Sequence, residues 1–151
     1  MNKYIVAAAA LLLFATGCES IAGSLEIDGE PTEVVNCVVD SAERVQLETA
    51  DGYTVVLAKG EEGDTVMVGT GECLEEGWVS SCAGALGCFE QHWGCVRYDW
   101  TVYSGCSTID LYDTDVQQGG LPVLDVEAEI FCEGGELPVA GQVSVSSCNA
   151  G

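Results

Sequence analysis

From Leu124 to Cys132 the chain alternates: Leu124, Val126, Ala128, Ile130 and Cys132 are interleaved with Asp125, Glu127, Glu129 and Phe131. A period of two puts one set on each side of an extended backbone, so this run predicts a strand with one buried and one wet face. Val45, Leu47 and Thr49 repeat the rhythm, as do Tyr53, Val55 and Leu57, with Ala50-Asp51-Gly52 between them. Asp-Gly between two alternating runs predicts a hairpin, because glycine accepts the positive φ of a tight turn. Further strands are predicted at Leu25 to Asp28, Val34 to Val39, Thr65 to Val68, Val96 to Tyr103, Thr108 to Tyr112 and Gln142 to Ser147.

Glycines at Gly60, Gly63, Gly119-Gly120 and Gly134-Gly135 separate these runs, and no long helical period interrupts them. The pattern predicts an all-β chain, an antiparallel β-sandwich or small barrel, forming a single domain over residues 24–151. A disulfide-rich insertion at about residues 73–106 breaks the rhythm, and Ser81 to Trp93 is its one candidate for a short helix. Val96, Tyr98, Trp100 and Val102 share one face of an extended strand, which assigns Tyr98 and Trp100 to the core. Trp78 and Trp93 have no such assignment. They are the candidate contact surface, since exposed tryptophans on loops make partner or glycan contacts; the competing expectation is that they cover the disulfides as a miniature core.

The first seventeen residues are of another kind. Lys3 precedes an uncharged stretch from Tyr4 to Ala15, then Thr16-Gly17-Cys18, after which the chain turns acidic. A spanning helix needs about 20 apolar residues. This segment is shorter and ends in small residues, as a cleaved signal peptide does. Ala15-Thr16-Gly17-Cys18 resembles the lipobox of a bacterial lipoprotein. The resemblance implies a signal peptide at 1–17, acyl chains on Cys18, and a lipidated tether over 18–23. Glu19 after the cysteine implies sorting to the outer membrane. Ala15 and Gly17 also suit an ordinary signal peptidase, which leaves a plain secreted chain as the alternative.

Export changes the reading of the other cysteines. Cys37, Cys73, Cys82, Cys88, Cys95, Cys106, Cys132 and Cys148 form an even set, and in an oxidising compartment an even set reads as disulfides. Five lie between Cys73 and Cys106 and three outside, both odd numbers, so at least one bridge joins the insertion to the surrounding scaffold.

Without the leader, Arg44, Lys59 and Arg97 stand against 25 carboxylates, a formal charge of −22. Such a body repels phosphate backbones and excludes nucleic acid as a partner, while it attracts cations and basic proteins at low salt.

Candidate chemistry is sparse. Cys73, Cys82, Cys88 and His92 have the Cys-x8-Cys-x5-Cys-x3-His spacing of CCCH zinc fingers. Taking three thiolates for zinc leaves an odd number of the remainder, and the intervening residues carry no cation for a phosphate, so the spacing is read as coincidence within a disulfide cluster and no metal is assigned. His92 is the sole histidine, and no Gly-x-Ser-x-Gly or comparable signature accompanies it. Asp110, Asp113 and Asp115, and separately Glu61, Glu62 and Asp64, are acidic loops with a calcium-like composition but no EF-hand spacing.

The expected function is therefore a non-enzymatic, membrane-anchored extracytoplasmic lipoprotein without a cofactor, structural or binding an envelope protein or glycan. An acidic periplasmic binder of calcium or of a cationic protein is the alternative, and a small extracytoplasmic hydrolase the third.

Overall fold

The computed structural model describes residues 20–82 and 87–150, all in strands, turns and links without a helix. The leader, Cys18 and Glu19 lie outside the described residues. The strands are β1 (Ser20–Ile27), β2 (Glu30–Ser41), β3 (Arg44–Thr49), β4 (Thr54–Ala58), β5 (Thr65–Gly69), β6 (Cys73–Cys82), β7 (Cys88–Tyr98), β8 (Thr101–Ser104), β9 (Ser107–Gln118), β10 (Leu121–Cys132) and β11 (Val139–Cys148).

Nine of them form one antiparallel sheet in the order β8-β5-β4-β3-β2-β1-β11-β10-β9, while β6 and β7 pair with each other. The large sheet turns on itself at β2. Residues Glu30 to Glu33 pair with β1, and Val34 to Ser41 pair with β3 across a bulge at Val34/Asn36. Extra residues in a strand bend it and raise its twist, so one long strand serves two layers. The two halves close over one apolar core. Leu25, Ile27, Val126, Ile130, Val143 and Val145 come from one side, and Val45, Leu47, Val55, Leu57, Val66 and Val68 from the other, all nearly inaccessible. Burying each such side chain contributes about 1.5–3 kcal/mol relative to exposure. The all-β, sandwich-like architecture read from the alternation is thus the one observed, and the Asp51-Gly52 hairpin is present, with Gly52 at φ 87°.

Covalent and polar links fasten the edges. Cys37–Cys148 ties β2 to the end of β11, where the Val39 amide also donates to the Asn149 carbonyl at 2.7 Å. Cys106–Cys132 ties the start of β9 to the end of β10. The β4–β5 loop seals the seam between the halves: the Asp64 carboxylate accepts the Ile109 amide at 2.9 Å, and Lys59 Nζ donates to the Ile109 carbonyl. An edge strand otherwise presents such groups to any passing chain.

Four sequence expectations need correction. The tether does not extend to Gly23, because Ser20 to Gly23 already pair with β11 from Ser146 to Val143. Ser81 to Trp93 is not helical where described; Ser81-Cys82 and Cys88 to Trp93 are strand, while residues 83–86 lie outside the described residues. The insertion is narrower than 73–106, since β8 and Cys106 belong to the body and only Cys73 to Tyr98 leaves it. Tyr98 and Trp100 are not core: Tyr98 is 49% exposed and Trp100 half-buried. The strand breaks at Asp99-Trp100, so the phase resets, and Tyr103 rather than Val102 faces inward on β8, its hydroxyl donating to the Leu137 carbonyl at 2.9 Å.

Candidate functional site

β5 and β8 are neighbours in the large sheet, yet the chain between them makes an excursion through β6 and β7. Among the described residues these two strands form an arm with no second layer of sheet. An isolated two-stranded hairpin is marginal in water, because one ladder and one exposed face do not offset the ordering entropy. Here it is stapled. Cys73–Cys95 joins its strands near the base, and the register sets Cys82 opposite Cys88 near the tip. Arg97 and Glu75 form an exposed ion pair at 3.6 Å, a contact of little energetic value.

The root of the arm is held by Asp99. Its carboxylate accepts the Thr70 hydroxyl, the Thr70 amide at 2.9 Å and the Gly71 amide at 3.0 Å. Partial desolvation pushes this carboxyl up, but the hydrogen bonds from Thr70 and Gly71 outweigh it and hold the group below the usual carboxylate value. Gly69 lies so close to the Asp99 carbonyl and the Trp100 ring that a Cβ there would fall within 2.8 and 2.9 Å of them.

Trp78 and Trp93 are direct partners across the arm, as are Gly77 and Gly94 beside them. The indoles meet edge to face, with centroids 5.7 Å apart and planes at 87°. Such pairs are worth about 0.5–1.5 kcal/mol beyond area burial. They are nevertheless open to solvent, Trp78 at 66% and Trp93 at 61% exposure, so they do not cover the disulfides as a miniature core. Glu76 and Ser80 on β6 alternate onto the same face as Trp78, and Gln91 onto that of Trp93. The opposite face is shallower. Val79, Val96 and His92 lie over the two glycines, with 3.3–3.4 Å separating them from where a Cβ would sit.

That placement bears on the other candidates. His92 has Val79 as its cross-strand partner and lies against Gly94. Cys73 is bonded to Cys95, which breaks the CCCH set. Asp64 and Asp110 both approach Lys59, at 3.9 and 3.8 Å, and Asp113 accepts the Asp115 amide at 2.8 Å. Among the described residues no three of His, Cys, Asp or Glu converge as a metal site.

A shallow groove crosses the outer face of β1, β11, β10 and β9, with Gln142, Ser144, Glu127, Glu129 and Asp110 among its lining residues, none of them an imidazole, thiol or cation. Beside it the Asp110 carboxylate, then desolvation and Glu127, raise the Tyr112 phenol above its ordinary value.

Sequence reasoning selected Trp78 and Trp93 but missed their pairing. The signal was present: Gly77-Trp78 and Trp93-Gly94 mirror one another about a glycine-containing tip flanked by Cys82 and Cys88, as a hairpin requires. The chain matches no family model, no curated protein and no solved structure.

Proposed function

We propose that this chain is an extracytoplasmic lipoprotein, held by acyl groups on Cys18 in the outer membrane of a bacterial envelope, which acts without catalysis by binding an envelope macromolecule through its arm. The observation that carries the reading is the exposed, perpendicular Trp78–Trp93 pair on a hairpin stapled by Cys73–Cys95. Leaving two indoles in water forgoes burial energy, and aromatic side chains on rigid, exposed supports are characteristic of interface anchors. The body supports the arm by joining both of its ends to adjacent strands, β5 and β8. Disulfides are compatible with export, as the leader implies. The non-enzymatic part of the reading rests on the sequence, in which His92 is the sole histidine and no Gly-x-Ser-x-Gly or comparable signature accompanies it.

Photocrosslinking in native envelopes tests this. A photoreactive residue at position 80, exposed on the same face as Trp78, should give a discrete adduct, whereas one at Val35, 54% exposed on the body, should not. Equal labelling from both positions would remove the arm from its role.

A further inference from the structure

We infer that the occupant of the Trp78–Trp93 face is a lysine- or arginine-rich stretch of a partner polypeptide, a refinement that rests on the arm being the recognition element. Two ring planes at 87° with centroids 5.7 Å apart form the walls of a corner, and both walls are largely open. An indole face carries negative quadrupole charge, and a cation within about 6 Å of the ring centroid is attracted to it. Glu76, exposed and on the same strand face as Trp78, adds a carboxylate beside that corner.

Among the described residues each cation already has a carboxylate partner. Arg44 pairs with Asp40 at 3.2 Å, and Lys59 sits between Asp64 and Asp110. Arg97, the one of the three on the arm, is paired with Glu75 at its base, and the full sequence has 25 carboxylates against 4 basic side chains. The field of that excess draws basic segments towards the molecule and repels phosphate-bearing surfaces, and the aromatic corner then distinguishes a docked ammonium or guanidinium from one merely attracted. A neutral glycan also stacks on indole, but nothing in this charge distribution selects it.

The test uses the oxidised mature chain and follows tryptophan fluorescence at low salt. The probes are an aromatic-free octapeptide rich in lysine, its glutamate counterpart, a neutral N-acetylglucosamine hexamer and phosphatidylcholine vesicles. The lysine peptide should bind, and Trp78→Leu and Trp93→Leu should each weaken it roughly five- to thirty-fold, because leucine keeps apolar bulk and removes the ring face. Glu76→Gln should weaken it further, and added salt should weaken it in every variant. Retention of the Cys73–Cys95 bridge, checked by mass, confirms that the arm is still closed. Peptide binding that both leucine variants leave unchanged would show attraction by net charge alone and overturn the inference. Binding of the hexamer or the vesicles through the tryptophans, without the lysine peptide, would overturn it while keeping the arm as a recognition element. If no probe binds and position 80 also fails to crosslink in envelopes, both readings fall.

Discussion

Replacing Cys37 and Cys148 together by alanine is the perturbation that bears hardest on the body. Their bridge spans 111 residues of chain, and both cysteines are essentially inaccessible, so alanine avoids burying new polar atoms. The bridges Cys73–Cys95 and Cys106–Cys132 lie inside that span and bypass 22 and 26 residues of it, which leaves an effective loop of roughly 63 residues. Restricting a loop of that length in the unfolded chain contributes about 4 kcal/mol. For a domain of this size the loss lowers Tm by roughly 10–20 °C. The Cys73→Ala/Cys95→Ala pair is the control. Its loop lies wholly within the arm, and an arm without a second layer opens independently of the core. Circular dichroism melts should therefore show the large drop for the first pair and nearly the parental transition for the second, while protease sensitivity appears between β6 and β7. Equal drops would refute the separation of arm from body.

The other predictions concern the root of the arm, one strand junction and the fourth bridge. Because the folded Asp99 carboxyl lies below its usual 3.8, its contribution is complete above that value and is lost as pH falls through the lowered folded value. Protection of the Thr70 and Gly71 amides, relative to their intrinsic exchange rates at each pH, should fall in that acid range, and Asp99→Asn should remove most of this pH dependence; parallel protection profiles in both proteins would contradict the assignment. Gly141, at φ 140°, faces Leu25 across the β1–β11 ladder, and a Cβ there would fall 2.3 Å from the Ser24 carbonyl oxygen. Gly141→Ala should cost more than about 1 kcal/mol in urea unfolding, and a neutral result would argue against that close approach. Non-reducing peptide mapping should link Cys82 to Cys88, the two cysteines besides Cys18 left by the three described bridges and opposed in the β6–β7 register; a different partner for either would dispute the register at the tip.

The body was legible because it has an inside. From Leu124 to Cys132 the core tolerates only apolar residues on alternate positions, so β10 prints its period into the sequence, and β3 and much of β11 do the same. The arm has no such inside. Cys73 to Cys82 reads Leu74-Glu75-Glu76-Gly77-Trp78 because neither face is packed against a core, and the period that identifies strands is lost. The same reason misplaced Tyr98, whose apolar alternation with Val96 continues along an exposed face. The start of β1 was read as a tether because Ser20-Ile21-Ala22-Gly23 is too short to show an alternation of its own, although its backbone pairs fully with β11. What the sequence did carry for the arm was symmetry, in Gly77-Trp78 and Trp93-Gly94.

The loss of the tether has a consequence for anchoring. Glu19 alone stands between Cys18 and the first paired residue, Ser20. Acylation at Cys18 would hold the β body directly at the bilayer surface. Every functional reading here depends on maturation outside the cytoplasm, and intact-mass spectrometry of protein from its native host tests that most directly. The account predicts a chain beginning at an acylated Cys18, with all eight remaining thiols oxidised. An intact leader on a product with free thiols would contradict it.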